Sequence, residues 1–259
     1  MFNNATAYNG YVGRWSRFAG EQFVDWLGVP QGCDWLDVGA GTGVLTQVIL
    51  RQAAPRTIVG IDISASYIEQ ARRDVQDARV DLRVGDVDTL AGEGLMFDAA
   101  VAGLVLNFVP SPVQMVATMQ QLVKAGGTVA AYVWDYTGRM EMMRHFWDAA
   151  KAIDATAAGA ASSTQYTLCQ PDALRALFEQ GGIQSVATTS LDVQTTFKHF
   201  DDYWLPFLGA QGSVSKYLLS LDETMKRALT EQLRKQLPFN ADGSIALIAR
   251  ALAVKGRVG

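Results

Sequence analysis

The chain has 259 residues, 49% of them hydrophobic and 19% charged, with a formal net charge of −4. That is ample to bury a core, and the mild acidity leaves no stripe of Lys and Arg to neutralise phosphates, which argues against nucleic acid as a partner. The two cysteines, Cys33 and Cys169, lie far apart in sequence, so neither a disulfide framework nor a metal knuckle is expected, and a reducing cytoplasm is the simplest setting.

The N-terminal residues, Met1 to Thr6, carry no basic run followed by an apolar stretch, and no segment approaches the roughly 20 apolar residues that span a bilayer. Tyr8 to Phe18 is unusually aromatic. Cys33–Val38 reads as a short apolar strand, and Val44–Gln52 as a helix with Val44, Val48 and Ile49 on one side. Arg56–Ile61 is rich in β-branched residues, after which Ser64 is placed to cap a helix carrying Tyr67, Ile68 and Ala71. Val80–Val84 alternates as a strand does. Phe97–Leu106 is a long apolar run suited to a central strand buried on both faces. Pro112 opens a helix over Val113–Lys124 that closes on Gly126 and Gly127, and Thr128–Trp134 is the fifth strand. Strands alternating with helices over about a hundred residues define a doubly wound parallel sheet with right-handed crossovers.

Beyond Asp135 the pattern changes. Arg139–Ile153 is amphipathic, Ala155–Ser163 is a small-residue connection, and Asp172–Gln180 is a short helix stopped by Gly181 and Gly182. Ile183–Phe197 alternates as one long strand. His199–Leu237 is mostly helical, broken near Gly209–Gly212, and Ser244–Val254 is a closing strand. A helical block is thus inserted between the last two strands, and no internal repeat is visible.

The segment Trp35-Leu-Asp-Val-Gly-Ala-Gly-Thr-Gly43 carries the chemistry. A strand ending in a glycine-rich turn that opens a helix presents backbone N–H groups to an anionic or polar group of a nucleotide-like ligand. Asp62, at the end of the next apolar run, is placed to take a ribose diol. The glycines at 39, 41 and 43 follow a G-x-G-x-G spacing, whereas the dinucleotide fingerprint wants its third glycine where Val44 stands. Steric need alone, a tight strand-to-helix turn, is the plainer explanation of such a cluster.

With these motifs the chain resembles class I S-adenosylmethionine-dependent methyltransferases, of the small-molecule kind related to quinone-biosynthesis enzymes. Leu36–Gly43 matches that family's first motif, Ile61-Asp62 the second and Gly85-Asp86-Val87 the third. Phe97-Asp98 through Leu106-Asn107-Phe108 resembles the strand that ends facing the transferred methyl, and Ala241 through Val254 the reversed last strand. The resemblance implies an α/β, Rossmann-like, doubly wound seven-stranded sheet with its last strand antiparallel and a helical cap insertion. Residues 1–32 would then be N-terminal lid helices, 33–135, 183–197 and 241–259 the core, and 136–182 and 198–240 the cap.

The same resemblance implies S-adenosyl-L-methionine as cofactor, leaving as S-adenosyl-L-homocysteine. Gly39 and Gly41 would let the backbone approach the methionine portion, with Asp37 receiving its ammonium. Asp62 would bind both ribose hydroxyls. Asp86 would accept the adenine amino group, although an Asp after a strand is also an ordinary turn residue. Val87, Ile63 and Leu104 would flank the ring, and Arg14 would pair with the carboxylate. Tyr11 and Trp15 would wall the site, since an aromatic face favours a sulfonium; packing of Trp15 and Phe18 on the sheet is the alternative.

An oxygen or nitrogen acceptor can need a base. His199 and His145 are the only histidines and are the candidates, against surface or packing roles for each. Asp201 and Asp202 have no matching acid pair elsewhere, so a solvated helix start is expected there rather than a metal. Asn107 is followed by a single displaced proline and not by the two prolines of nucleobase methyltransferases; contact with a ligand and capping of the next loop are both open. Aromatics gathered late in the chain, among them Tyr136, Trp147 and Trp204, suit an apolar or aromatic small-molecule acceptor. A homodimer is admitted. The alternative functions are an NAD-dependent oxidoreductase and a non-catalytic S-adenosylmethionine-binding protein on the same scaffold.

Overall fold

A computed structural model describes residues 13–160, 166–209 and 213–259. The expected aromatic wall at Tyr11, the start of the aromatic N-terminal run, residues 161–163 of the small-residue connection and residues 210–212 of the break lie outside the described residues.

Helix α1 (Arg14–Leu27) precedes β1 (Asp34–Val38), α2 (Val44–Gln52), β2 (Thr57–Asp62), α3 (Ala65–Asp74), β3 (Val80–Val84), β4 (Phe97–Gly103), α4 (Pro112–Gln121) and β5 (Val123–Trp134). There follow α5 (Glu141–Ile153), α6 (Ala157–Ala160), α7 (Pro171–Gln180), β6 (Gln184–Phe197), α8 (Phe200–Gly209), α9 (Ser213–Ser220), α10 (Glu223–Gln236) and β7 (Ile245–Arg257). The seven strands form one sheet in the order β3-β2-β1-β4-β5-β7-β6. β1 to β5 are parallel, and β7 runs antiparallel to β5, from Thr128 opposite Arg257 to Trp134 opposite Ala251. The expected α/β, Rossmann-like sheet with a reversed last strand is the fold observed.

The central strands are buried on both faces because their sequences are apolar without alternation. Leu36 sits between Val59 of β2 and Ala100 of β4, and Ala99 to Ala102 are wholly buried. β3, at the edge, alternates instead and leaves Val84 exposed. As expected, the Ser64 hydroxyl caps α3, accepting from the Tyr67 N–H at 3.4 Å.

Two boundaries differ from expectation. The strand expected over Phe97–Leu106 stops at Gly103, because Leu104 takes a positive φ of 63° and a short 3-10 turn, Leu106–Phe108, follows. The helix expected to run to Lys124 ends at Gln121, and β5 begins at Val123. Phe97 pairs with Val123 and Ala99 with Thr128, so the strand bulges between them. Gly126 and Gly127 therefore lie inside a strand and do not close a helix. A Cβ on Gly127 would fall 2.4 Å from Val123 Cγ1 and 2.8 Å from the Asp98 carbonyl oxygen, which only glycine avoids.

The described chain divides into two compact units. Of the described residues, the first comprises 13–15, 135–160, 166, 192–209 and 213–250, and the second 16–134, 167–191 and 251–259. These limits fall elsewhere than the expected lid, core and cap: most of α1 and all of α7 group with the sheet unit, and the outer parts of β6 and β7 with the helical one. In the sheet unit, β1, β2, β4, β5, β7, α4 and α7 contribute to one apolar core, and Phe23 of α1 packs on Tyr132 with ring centroids 4.7 Å apart. In the helical unit, Phe146 is enclosed by Trp147 at 5.1 Å and Phe207 at 4.9 Å. There the Tyr203 hydroxyl donates to the Met142 carbonyl. Much of the late aromatic content is consumed in this way as packing.

Candidate functional site in the loops after β1, β2 and β4

The glycine turn after β1 carries three positive φ values, 72° at Gly39, 54° at Gly41 and 81° at Gly43, which L side chains resist. The glycines are needed for different reasons. A Cβ on Gly39 would lie 2.4 Å from Cγ2 of Val105, so the turn after β4 comes right up to this backbone. On Gly41 the nearest atom among the described residues would be the Gly39 carbonyl oxygen at 3.9 Å, an ordinary contact distance. α2 then begins with Gly43 as a cap that offers no side-chain acceptor, leaving first-turn N–H groups facing a place where a polar ligand group is favoured.

Asp62 ties this turn to β2. Its Oδ2 accepts from the Gly41 N–H at 2.9 Å and its Oδ1 from the Ser64 N–H at 2.8 Å. The N–H groups of Gly39 and Ala40 both donate to the Ile61 carbonyl, and Gly85 N–H donates to the Asp62 carbonyl. The loops after β1, β2 and β3 are thereby joined at the carboxyl edge of the sheet. Beside Asp62, Ile63 is 59% exposed, an apolar side chain with little cover.

Asp37 lies beneath the turn and is 1% exposed. Its Oδ2 accepts from the Thr46 hydroxyl at 2.7 Å. Burial pushes its carboxyl up to about 7; the Thr46 bonds oppose this, and the neighbouring Asp62 charge adds to it. Asp37 is thus poised to ionise when a cation arrives. Thr46 was not evident as a partner from sequence, because only the strand–turn–helix geometry brings the first turn of α2 back over the strand end.

Asp86 caps the 3-10 turn Val87–Leu90 through the Asp88 N–H. Val87 is buried in the apolar core, so its side chain is committed there. Leu104 is half-buried, its N–H donating to the Tyr132 carbonyl. Of the residues singled out from sequence, Asp37, Gly39, Gly41, Asp62, Ile63, Asp86, Val87 and Leu104 all belong to the sheet unit.

The remaining candidates belong to the helical unit. Arg14 lies over the rings of Trp15 and Phe197, at 4.2 and 4.7 Å, and donates through Nη1 to Asp202 at 2.8 Å. Its Nε and Nη2 are buried without a hydrogen-bond partner. His199 is exposed and its Nδ1 accepts from the Asp202 N–H at the start of α8. His145 is half-buried on α5; burial and then the Arg144 charge lower its pKa, so the imidazole is neutral at pH 7. Among the described residues no group of three or more His, Cys, Asp or Glu is placed to hold a metal, and no helix is long and apolar enough to cross a membrane.

The order of the parallel strands and the reversed terminal strand are those of the Rossmann-like methyltransferase fold. Residues 36–131 match the family model described as methyltransferase domain. The chain is 33% identical over 111 residues to a ubiquinone biosynthesis O-methyltransferase of Paracidovorax citrulli, a match covering 41% of this chain and 46% of that protein. It is also 33% identical over 111 residues to a ribosomal protein L11 methyltransferase of Burkholderia multivorans, covering 41% and 34%. The chain thus spans less than half the length of the curated relatives it matches. Among solved structures it is similar to YcgJ of Bacillus subtilis, with a TM-score of 0.56, 13% identity and coverage of 93% and 97%. A phosphoethanolamine N-methyltransferase of Haemonchus contortus, solved with S-adenosyl-L-methionine, gives a TM-score of 0.57, 14% identity and coverage of 98% and 56%. At these identities the structural likeness shows the fold.

Proposed function

We propose that the protein transfers a methyl group from S-adenosylmethionine to an oxygen, nitrogen or carbon of a small-molecule acceptor. The observation that carries this is the Asp62 clamp on Gly41, which no other described side chain crowds. A carboxylate fixed by two backbone donors keeps lone pairs for a vicinal diol, and the uncovered glycine lets an amino-acid tail lie against the backbone. Asp37 then receives the tail's ammonium, and Ile63 and Leu104 supply apolar contact to the base. Asp86 accepts from the exocyclic amine.

When bound, the cofactor supplies an electrophilic methyl on a sulfonium. The protein's part is alignment of the acceptor and exclusion of water, which carry much of the rate for an in-line displacement. His145, neutral at pH 7, and His199 are the proton acceptors proposed for a hydroxyl or ammonium substrate. The half-buried pair Tyr136 and Tyr166, with centroids 4.5 Å apart, supports an apolar or aromatic acceptor. Cys33 and Cys169 are not joined in a disulfide, which suits a cytoplasmic setting. The relatives act on unlike acceptors by their names, a quinone precursor and a ribosomal protein, so the acceptor must be found by experiment. Calorimetry with S-adenosylhomocysteine and with NADH, followed by labelled-methyl transfer to quinols, phenols, amines and fatty acids, tests the reading. Saturable binding of the first ligand only, with transfer to one acceptor class, supports it. Binding of NADH alone, or no transfer to any acceptor, contradicts it.

A further inference from the structure

Asn107 sits in the 3-10 turn that follows β4, two residues beyond Val105, whose side chain forces glycine at position 39. The strand order reverses between β1 and β4, and the crevice at such a switch point is where open α/β sheets receive ligands. The amide of Asn107 is held from behind. Its Nδ2 donates to Cys169 Sγ at 3.6 Å, and Cys169, itself buried, donates to the carbonyl of Trp134 at the end of β5 at 3.1 Å. This relay fixes which end of the amide faces the strand. The opposite atom, Oδ1, is buried and has no hydrogen-bond partner.

A buried acceptor left unsatisfied is costly, so a native structure that orients one by two successive hydrogen bonds has a use for it. Local capping is not that use, since Oδ1 bonds to no backbone N–H. We propose that Asn107 is a specificity-determining residue: its Oδ1 accepts a hydrogen bond from the O–H or N–H of the methyl acceptor, and Cys169 is the positioning residue that keeps the oxygen turned to the ligand. A carbonyl oxygen there favours a hydroxyl or amine and repels a carboxylate, which brings a second set of lone pairs and no donor. Phe108, beside Asn107 and 38% exposed, offers the ligand an apolar contact at this turn. The inference rests on the reading of the crevice as a methyl-transfer site.

The test uses catechol as a donor-bearing probe, with 1,2-dimethoxybenzene and benzoate as probes lacking a donor, titrated with and without S-adenosylhomocysteine. Binding is followed by the Asn107 side-chain amide cross-peak in NMR, identified by its absence in Asn107→Leu, and by calorimetry. Catechol is expected to bind at least tenfold more tightly than either other probe, and to lose that margin in Asn107→Leu while the S-adenosylhomocysteine Kd stays within twofold. Cys169→Ser, which keeps a donor and an acceptor, preserves the margin, and Cys169→Ala reduces it. Failure of catechol to bind, equal affinities in the wild type, or a margin that survives in Asn107→Leu overturns the proposal. Failure of S-adenosylhomocysteine to bind overturns the cofactor reading instead, and is seen before any probe is added.

Discussion

The N–H of Gly41 donates to Oδ2 of Asp62 at 2.9 Å, across 21 residues of chain. One carboxylate thus shapes the glycine turn and stands at the place proposed for a ribose. Its second oxygen is held by Ser64 N–H, so the group is rigid before any ligand arrives, and rigidity of this kind lowers the cost of binding.

Replacing Asp62 removes charge-assisted hydrogen bonds to the ligand and frees the turn. Asp62→Ala is expected to weaken S-adenosylhomocysteine binding by about 1–3 kcal/mol, measured by calorimetry. An unchanged affinity contradicts the assignment of this acid.

The two glycines respond differently to alanine. Gly39→Ala meets both a positive φ and the Val105 methyl groups, so a loss of about 2–3 kcal/mol of folding stability is expected in urea denaturation. Gly41→Ala meets no close contact among the described residues and costs about 1 kcal/mol from backbone strain alone. It fills the space proposed for the ligand's tail, and a drop in affinity of at least about tenfold, or 1.4 kcal/mol, is expected. Equal effects of the two substitutions on folding contradict the different reasons given for them.

Asp37 makes stability fall as pH rises. Its carboxyl is pushed from an ordinary 3.8 to about 7 by burial, so between those values the folded chain holds a proton that the unfolded chain has released. The folded state loses up to roughly 4 kcal/mol relative to the unfolded one across that window. Urea midpoints of Asp37→Asn, compared with wild type from pH 4 to 8, are expected to lack this component. Parallel profiles contradict it. A cationic ligand tail reverses the sign of its own binding, which tightens as pH rises through 7.

Asp202 behaves oppositely. Burial works to raise its pKa, but the hydrogen bonds from Arg14 and the Lys198 N–H, with the Arg14 and His199 charges, hold it below the usual carboxylate range. Its contribution is present above pH 4 and fades as pH falls. Asp202→Asn is expected to cost about 1 kcal/mol at pH 7 and progressively less as pH falls below 4, read from thermal unfolding. A constant difference across that range contradicts the ion pair as its cause.

The β1–turn–α2 unit was legible in sequence because three glycines, an apolar strand and a helical pattern all demand the same local geometry, and Ser64 announced α3 for the same reason. The early start of β5 was not, since Gly126 and Gly127 read equally as a helix stop; what decides is the Asp98 carbonyl brought against Gly127 by the neighbouring strand. Thr46 on Asp37 and Cys169 behind Asn107 were hidden likewise. Each joins residues from different elements, across 9 and 62 positions, and no short-range pattern encodes such pairs. The compact units were hidden too, because β6 and β7 each run through both as one unbroken strand.

A crystal structure with S-adenosylhomocysteine tests the central claim most directly. The account predicts ribose hydroxyls on the Asp62 carboxylate and the amino-acid tail over Gly41. Density for the ligand at another place on the protein, or none at saturating concentration, contradicts it.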